Sequence, residues 1–517
     1  MRLLAWGAGV MGVVSICTLG CGGGGRSGAI LDGSANTQSS GSGNQGGAAG
    51  MVSDAGGSPR LCSDLFDQTI VPAYAIEITP DNWTKLDADF HDLKDVLAGT
   101  PPMTYYPVVF HYGSETVSNA AIRLRGKSSW VDTVLYDTNP KMQFDVSFDQ
   151  IDTKQKFHGI STIHLTMARD DWTFMNDRIG DNWMRQIGIT APCANSAMFT
   201  VNGAYYGLYV AEGSVGTALL KQFFPGNAAG DLFKGGSEAQ TNTTTANWAR
   251  LQTLKSATDI ASLQAIADLP NSVLEWAAEA VVDDADGYYG GSHNYFLYDE
   301  GSAGYLWIPD HTDSALEWLE LFAPAVSYKE HPIYWWVGRV APDPPGADYL
   351  LVMNDANWRG QYVNAVATQV AKWDPTEISG WANAWAPQIA DAIAADPHKW
   401  ATTAQVTSAM SALQDMIQNR PKYLQSFVGC EQGNPADSVD QDHDGVPWCN
   451  DCDDTNPAVH PGAPEICGNH IDDNCNGVVD ENCPGETPGY PGQTDAGAPA
   501  AASGSTGGGN ADGGTKG

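Results

Sequence analysis

The sequence VNGAYYGLYVAE, residues 201–212, places an Asn-Gly pair between two short runs of apolar and aromatic residues. Asn202-Gly203 is a strong signal for a two-residue hairpin turn, because both residue types tolerate the positive φ angles that such a turn requires. The flanking residues 197–201 and 206–211 are rich in strand-forming side chains. We therefore predict an antiparallel β-hairpin at this position.

The sequence before this hairpin predicts further strands, and the sequence after it predicts mainly helices. Upstream, we predict a helix at residues 174–186, ended by Gly188, and strands at residues 105–112, 120–125, 142–148 and 162–166. Downstream, a β pair is predicted at 293–298 and 305–308, and helices at 248–255, 260–267, 272–282, 359–371, 378–394 and 404–427. This order predicts an α+β fold with a β-rich lobe followed by a helical lobe.

Length and charge narrow the class of protein. The chain has 517 residues, too many for one ordinary domain, and a formal net charge of −35, which excludes a general nucleic-acid binder. Its 17 Trp, 19 Tyr and 14 Phe can form a large core. Composition divides the chain into a signal peptide at 1–20, a Gly-rich linker at 21–60, a large domain at 61–428, a small module at 430–483 and a disordered tail at 484–517.

The N-terminus has the features of a bacterial export signal. Met1 and Arg2 precede an apolar run, and TLGC at residues 18–21 is similar to a lipobox, with Thr18 where Leu is usual. We expect cleavage before Cys21, acylation of Cys21, and a membrane-anchored lipoprotein of the cell envelope or surface. The alternative is an uncleaved membrane helix, although the apolar run is shorter than the ~20 residues that a span needs.

Cysteine usage agrees with export. Eight cysteines remain when Cys17 and Cys21 are set aside, and an even number in an exported chain suggests disulfides. Six of them lie between residues 430 and 483, so that segment is predicted to be a stapled module. Cys62 and Cys193 are a possible pair in the large domain, and the sequence does not fix the connectivity.

The small module has the composition of a calcium-binding segment. Residues 430–483 contain thirteen acidic residues and no Lys or Arg. The run DQDHDG, residues 440–445, has oxygen ligands at the spacing of a calcium loop, with Gly at its sharp turn. The predicted Ca²⁺ ligands are Asp440, Asp442, Asp444 and Asp451, and in a second loop Asp472, Asn474, Asn476 and Asp480.

Residues 440–483 resemble the metal-binding motif of bacterial surface proteins, which is similar to thrombospondin type-3 calcium repeats. Two other interpretations stay open. One is a solvated acidic tail. The other is a zinc site that uses Cys449, Cys452, His460, Cys467 and His470.

Six motifs of the large domain occur in a fixed order. They are IRLRGKSSW at residues 122–130, Lys141, DR at 177–178, the hairpin at 201–212, DLFKG at 231–235, and DGY at 286–288 with HNYFLY at 293–298. Together they resemble the spore coat protein H (CotH) kinase family over about residues 65–428. The resemblance implies a bilobal fold similar to protein kinases, with ATP and Mg²⁺ or Mn²⁺ between the lobes.

The same resemblance implies roles for individual residues. Asp286 is the implied catalytic base toward a substrate hydroxyl. The implied nucleotide-binding residues are Arg125, Ser128, Ser129, Lys141, Glu212 and Lys234, and the implied Mg²⁺ or Mn²⁺ ligands are Asn294, Asp310 and Asp313. Structural roles are the alternative for each group. Asp286 could lie at a solvated helix end, and Asn294 could hydrogen-bond backbone groups at a strand start. Arg125 or Lys141 could form a structural ion pair, and Ser128-Ser129 could form a turn.

One departure from the family pattern concerns the metal ligands. The family reads P-x-D-x-D, and this chain reads PDHTD at residues 309–313, so His311 replaces the first Asp. Imidazole is a poor ligand for Mg²⁺. The resemblance as a whole leads us to expect an exported kinase that phosphorylates Ser or Thr of secreted or envelope proteins. Because of the His311 departure, a pseudokinase or a surface-binding scaffold is the alternative.

Overall fold

The computed structural model of the chain describes residues 62–169, 171–316, 332–334, 346–476 and 478–484. The predicted signal peptide, Cys21, the linker and nearly all of the predicted tail lie outside these residues. None of the helices in the described part combines the length and the hydropathy needed to span a bilayer.

The strands of the described residues form two sheets. In chain order they are β1 Ala73–Glu77, β2 Tyr106–Tyr112, β3 Glu115–Leu124, β4 Phe144–Ser147, β5 Thr162–Thr166, β6 Ala194–Val201, β7 Ala204–Gly213, β8 Leu232–Lys234, β9 Glu238–Ala239, β10 Tyr295–Asp299 and β11 Tyr305–Pro309. The first seven close into a barrel in the order β1-β2-β3-β4-β5-β7-β6. The remaining four form a sheet in the order β11-β10-β8-β9.

The barrel closes through a pairing that the sequence did not predict. β1 had no predicted strand, and it pairs in parallel with β6, whereas the other neighbours in the barrel are antiparallel. The predicted hairpin is confirmed: Asn202 and Gly203 join β6 and β7 with φ angles of 50° and 82°. The Asn202 Oδ1 also accepts a hydrogen bond from the Ile78 N, which ties this turn to the end of β1.

The helices of the described residues pack against strands of both sheets. They are α1 Pro80–Phe90, α2 Leu93–Ala98, α3 Ser128–Tyr136, α4 Asn176–Ile187, α5 Thr217–Phe223, α6 Trp248–Lys255, α7 Ile260–Gln264, α8 Leu269–Val282, α9 Tyr288–Gly291, α10 Ala347–Asn354, α11 Ala356–Val370, α12 Pro375–Ala395 and α13 Thr403–Glu431. The prediction of mixed helices and strands is confirmed. The predicted helices at 248–255 and 272–282 correspond to α6 and α8, while α1, α2 and α3 were not predicted.

Alternation along the barrel strands separates two apolar cores. Phe144, Ile163 and Tyr209 point into the barrel and are fully buried. Leu208 and Val210, which alternate with Tyr209 on β7, instead join the larger core that contains residues of α4 and α8. The outer face of β7 is therefore buried against the larger core.

The C-terminal module is joined to the large domain by a disulfide and by aromatic packing. Cys430 belongs to α13 and pairs with Cys449, while the other bonds are Cys62–Cys193, Cys452–Cys475 and Cys467–Cys483. The Trp448 ring packs on Tyr423 and Phe427 of α13. The prediction of a disulfide-rich module and of the Cys62–Cys193 pair is confirmed. The zinc alternative is wrong, because its cysteines are all in disulfides.

Candidate active site and metal loops

A row of charged side chains crosses the outer face of the barrel. Arg123, Asp145, His164 and Glu212 lie opposite one another on β3, β4, β5 and β7. Arg123 Nη2 and His164 Nδ1 each lie 2.6 Å from an oxygen of Asp145. Burial opposes ionisation of Asp145, but His164, Arg125 and Arg123 hold the pKa of that carboxyl below its usual value. Asp145 is therefore a buried, ionised carboxylate at the centre of this row.

Arg125 is the cation at the centre of this face. Its Nη1 donates a hydrogen bond to the Thr166 Oγ1 at 2.7 Å and lies 3.5 Å from the Glu212 Oε2. Burial alone would lower the pKa of the guanidinium, but surrounding carboxylates raise it. These carboxylates belong to Glu212, Asp145, Asp310 and Asp313. Arg125 is therefore fixed in the charged form within reach of several acidic groups.

Three buried carboxylates meet where α4 faces the barrel. Asp177 and Asp181 are one helical turn apart on α4, and with Glu212 of β7 they offer ligand oxygens that lie within 4.8 Å of one another. All three residues are at most 2% exposed. Burial, together with the charge of Glu212, raises the pKa of Asp177 and of Asp181 well above its usual value. We call these residues the α4 triad.

The α4 triad is incompletely hydrogen-bonded. The Thr312 N donates to the Asp177 Oδ1 at 2.8 Å, and the Thr312 hydroxyl donates to the Asp181 Oδ1 at 3.3 Å. A Cβ at Gly180 would collide with Thr312, so the glycine permits this close approach. The Asp181 Oδ2 and the Glu212 Oε1 are buried and have no hydrogen-bond partner among the described residues.

His311 forms an ion pair with the acid that follows it. Its Nδ1 lies 2.9 Å from the Asp313 Oδ1. Burial would lower the pKa of His311, but Asp313, Asp310 and Glu212 raise it to about 10. The imidazole is therefore a cation at neutral pH, and a protonated imidazole has no lone pair to offer a metal.

Asp310, which directly follows β11, contacts β8 and the residue that precedes β10. Its Oδ2 accepts a hydrogen bond from the Lys234 Nζ at 2.6 Å, and its backbone N donates to the Asn294 O at 2.7 Å. Although burial opposes ionisation, Lys234, His311 and Arg125 keep the pKa of Asp310 below its usual value. Lys234 itself is 46% exposed, so it lies at the opening of the site.

Asp286 is held by the two residues that precede β10. The Asn294 Nδ2 donates to the Asp286 Oδ2 at 2.6 Å, and the His293 Nδ1 lies 2.9 Å from the Asp286 Oδ1. The Asp286 side chain is 37% exposed, which leaves it accessible from the solvent. Asp284 is fully buried, and burial followed by Glu279, Asp286 and Asp313 raises its pKa well above the usual value. Asp286 and Asp313 therefore both lie close enough to Asp284 to interact with it electrostatically.

Lys141 lies in a different environment from the other predicted nucleotide-binding residues. Its side chain is fully buried, and its Nζ donates to the Asp396 Oδ2 at 2.7 Å and to the Leu208 O at 2.5 Å. The Tyr209 and Trp400 rings surround the ammonium group. Burial lowers the pKa of Lys141 to about 8, despite the opposing charge of Asp396. Within this structure Lys141 stabilises the contact between the barrel and the segment after α12.

Ser128 and Ser129 begin α3, so the simpler interpretation of this pair as a turn does not hold. Lys127 precedes this helix without a side-chain cap, and the Ser129 Oγ accepts a hydrogen bond from the Gln143 Nε2 at 2.6 Å. Gly126 has a φ of 91°, and a Cβ there would lie 2.6 Å from the same Nε2. No side chain of the described residues caps the N-terminus of α3, which follows Arg125 closely in the chain, and a helix N-terminus suits anionic groups.

The structure brings together most of the predicted residues of the large domain. Arg125, Glu212, Asp310 and Asp313 interact electrostatically, and Lys234, Asn294 and Asp286 join them through Asp310 and Asp284. Lys141 lies apart from this group, because its ammonium group is bonded to Asp396 and to the Leu208 O. Sequence reasoning missed Asp181 and Asp284 and gave Asp177 no role. The i, i+4 spacing of Asp177 and Asp181 in a helix of buried residues was the signal available.

The first predicted calcium loop forms a cluster of carboxylates. Asp442, Asp444 and Asp451 offer oxygens that lie within 4.8 Å of one another, and so do Asp440, Asp442 and Asp454. In the first group one oxygen of each accepts a backbone N–H, and the Oδ2 of each is buried without a hydrogen-bond partner in the described part of the chain. Burial, together with Asp444, Asp442 and Asp454, raises the pKa of Asp451 to about 6. Asp454 was not predicted.

The second predicted loop is held by two glutamates that the sequence analysis did not select. Glu465 accepts backbone N–H groups of Asn474 and Asp480 at 3.0 Å, and Glu481 accepts the side-chain amides of Asn474 and Asn476. Asp472 accepts the Asn476 N at 3.0 Å. The predicted ligands are therefore neighbours, but they do not form a compact carboxylate cluster among the described residues.

Comparison with known proteins identifies both parts of the chain. A family model described as "CotH kinase protein" matches residues 122–424. By this match the large domain is kinase-like. The match covers more than half of the chain, so this chain belongs to the CotH kinase protein family, and the predicted resemblance is confirmed. Such a family implies ATP and a divalent metal ion.

The C-terminal module matches a second family model, described as "putative metal-binding motif", over residues 451–481. This confirms the predicted resemblance of the module to a metal-binding motif. The match begins at Asp451, so the loop at residues 440–445 precedes it. No curated protein matches the chain.

Proposed function

We propose that this protein is an atypical kinase that transfers the ATP γ-phosphate to Ser or Thr hydroxyls of secreted or envelope proteins. The observation that carries the proposal is the position of Asp286. Its carboxylate is accessible from solvent, is oriented by Asn294, and adjoins the acidic groups around Arg125 through Asp284. A half-exposed carboxylate fixed in this way can accept the proton of an incoming hydroxyl.

In this proposal the barrel and the helical part are the two lobes of a kinase-like fold, and the nucleotide lies between them. The N–H groups that begin α3 at Ser128 and Ser129 bind phosphate oxygens, and Arg125 neutralises their charge. Lys234 reaches the phosphates from the opening of the site. Glu212 orients Arg125 through their 3.5 Å contact, and Lys141 acts indirectly by holding the lobes together.

The family implies a divalent cation with the nucleotide, and the chemistry of the site fits one. Carboxylate and amide oxygens are the ligands that Mg²⁺ and Mn²⁺ prefer, and Asn294, Asp310 and Asp313 supply them beside Asp286. When bound, the cation neutralises the charge of the phosphate groups. The protein's own part is to orient Asp286 and to fix Arg125 and Lys234 where negative charge develops.

A specific observation favours the alternative function. The cationic His311 occupies the position of the first family acid and is paired with Asp313 at 2.9 Å. A pseudokinase or a surface-binding scaffold would keep this fold without phosphate transfer. The two functions differ in whether the protein binds a metal–nucleotide complex.

Export, lipid anchoring at Cys21 and a calcium ion in the module are parts of the same proposal. Four disulfides support an oxidising compartment outside the cytoplasm. The unpartnered oxygens of Asp442, Asp444 and Asp451 support a hard cation, and Ca²⁺ accepts such flexible all-oxygen sites. Replacing Cys21 by Ala should release the protein from the detergent phase of membrane extracts.

Thermal unfolding with and without nucleotide tests the proposed function. ATP with Mn²⁺ should raise the melting temperature beyond the effect of Mn²⁺ alone, and Arg125→Ala should abolish that additional shift. Lys85→Ala is a matched control, because Lys85 is an exposed cation that pairs with Asp81 on α1. If the wild-type protein shows no additional shift in melting temperature with any nucleotide, the kinase proposal fails and the scaffold function is supported instead.

A further inference from the structure

We propose that the α4 triad, Asp177, Asp181 and Glu212, is a second divalent-cation site, separate from Asn294, Asp310 and Asp313. It deepens the proposed function, on whose cleft it borders, but cation binding at the triad does not require phosphate transfer. The ion would be of the hard class, Mg²⁺, Mn²⁺ or Ca²⁺, because every side chain at the site offers only oxygen.

The spacing of the triad fits one ion. Its ligand oxygens lie within 4.8 Å of one another, and oxygens that share one Ca²⁺, Mg²⁺ or Mn²⁺ at ~2.0–2.6 Å are at most ~5 Å apart. Two of these carboxylates come from one turn of α4 and the third from β7. The ligand oxygens are already within this distance in the structure.

The hydrogen bonds around the triad leave oxygens available for an ion. Thr312 donates to one oxygen of Asp177 and to one oxygen of Asp181. The Asp181 Oδ2 and the Glu212 Oε1 belong to residues at most 2% exposed, and neither has a hydrogen-bond partner in the described residues. A buried carboxylate oxygen without a donor is costly, and a cation would satisfy both oxygens at once.

Nearby cations do not balance the charge of the triad. Arg125 is 3.5 Å from Glu212, but it also serves Asp145, Asp310 and Asp313. His311 is paired with Asp313. The other predicted metal ligands differ from the triad, because Asp310 already binds Lys234 and Asn294 already binds Asp286. The Asp181 Oδ2 and the Glu212 Oε1 are therefore left without a cationic or hydrogen-bonding partner among the described residues, and a divalent cation would supply one.

Crystals of the full chain soaked in MnCl₂ test the proposal, because anomalous scattering locates each Mn²⁺. We expect an anomalous peak among Asp177, Asp181 and Glu212, in addition to peaks in the C-terminal module. Asp181→Asn, which keeps the shape of the side chain, should remove the first peak and leave the others. Glu275→Gln is the matched control, because Glu275 is also buried with an unpartnered oxygen but lies outside the triad.

A wild-type crystal with Mn²⁺ in the module and none at the triad would overturn the proposal. It would mean that the three carboxyls share protons instead. If Asp181→Asn does not fold, the proposal can be tested on the Asp442→Asn, Asp444→Asn double variant, which lacks the first carboxylate cluster of the module. Mn²⁺ is titrated into this folded variant and followed by electron paramagnetic resonance. Absence of a remaining tight Mn²⁺ site would count against the triad. Nucleotide binding without Mn²⁺ at the triad refutes this inference alone, and Mn²⁺ at the triad without nucleotide binding refutes only the kinase function.

Discussion

His311 is a buried cation among the acidic residues of the candidate site. Three acids raise its pKa to about 10 although burial opposes this, and the resemblance in sequence implies a carboxylate at this position. The surrounding charges make this state stable, because the ion pair with Asp313 needs the protonated ring. The cationic ring and its ion pair with Asp313 therefore bear directly on whether the proposed metal site can form.

Replacing His311 by Asp should strengthen binding of Mn²⁺ with ATP by about tenfold, ~1.4 kcal/mol, because it removes a cation and adds two oxygens. His311→Asn is the control, since it removes the cation without adding a carboxylate. Isothermal titration calorimetry measures the dissociation constant of each variant. Equal affinity in wild type and His311→Asp would show that the residue does not limit metal binding.

Residues in direct sequence neighbourhood were predictable, and residues brought together by the fold were not. Asp286 and Asn294 are eight positions apart, and their hydrogen bond agrees with their selection as a pair. Asp396 is 255 positions from Lys141, and nothing in the local pattern of either residue indicates that they form a buried ion pair. Asp454 was missed because the calcium spacing was read only to position 451.

At the scale of elements, the start of α3 shows how backbone geometry prepares a site. Gly126 turns the chain with a φ of 91°, after which α3 begins at Ser128 and Trp130 anchors it through a hydrogen bond from its Nε1 to the Phe90 O. The Gln143 side chain fills the space beside Gly126. The exposed helix terminus is therefore held rigidly beside Arg125.

Gly126→Ala should lower the free energy of unfolding by ~1–3 kcal/mol, because the new Cβ meets Gln143 and the positive φ is strained. Gly113→Ala is a matched control: it has a φ of 59° but open space around its Cβ position. Urea unfolding measures both. The difference between the two variants reports the contact with Gln143, and equal losses would show that this contact is unimportant.

The end of α8 should make stability depend on pH. Burial raises the pKa of Glu279 from 4.5 to about 8, although the Tyr289 N donates to its Oε2. The folded state therefore holds the proton more tightly, so this stabilisation is complete below about pH 4.5 and is lost as the pH rises through about 8.

We expect Glu279→Gln to reduce the fall in unfolding free energy between pH 5 and pH 8 by at least ~1 kcal/mol. The exposed Glu238→Gln variant should leave the fall unchanged. Urea unfolding at three pH values across this range measures the slope. A Glu279→Gln protein with the wild-type slope would mean that this carboxyl is ionised in the folded state.

At the scale of the whole molecule, the metal loops are attached to the last helix of the large domain. The Trp448 ring packs on α13, and Cys449 is bonded to Cys430. The Arg359 guanidinium of α11 also contacts Glu431 at 3.1 Å and the side chain of Asn450, which directly precedes the ligand Asp451. Order in the metal loops should therefore stabilise α11 and α13.

Removing calcium should lower the melting temperature of the whole chain, because a ligand at 100 times its dissociation constant contributes ~2.7 kcal/mol. The double variant Asp442→Asn, Asp444→Asn should melt at the same temperature with and without chelator. Asp453→Asn, an exposed acid outside both carboxylate groups, should behave as wild type. Differential scanning calorimetry measures this, and a wild-type melting curve that ignores the chelator would contradict it.

The mixture of strands and helices could be predicted from the sequence, but the closure of the seven strands into a barrel could not. Strand and helix periods are local, so residues 162–166 and 248–255 were predicted with the bounds of β5 and α6. The barrel depends on the parallel pairing of β1 with β6, which joins residues more than a hundred positions apart. The hydrophobic periodicity of a strand indicates that it forms, but it does not indicate which distant strand it pairs with.

Transfer of the γ-phosphate is the reaction on which the account depends, and a radiolabelled ATP assay with Mn²⁺ and a Ser- and Thr-rich acceptor measures it. We predict that the full chain labels the acceptor and that Asp286→Asn lowers the rate by ~10²–10⁴ while its near-ultraviolet circular dichroism stays unchanged. Asp391→Asn, an exposed acid of α12, should keep the wild-type rate. Wild-type protein that binds Mn²⁺ and ATP but transfers no phosphate, or Asp286→Asn at the wild-type rate, would contradict the account.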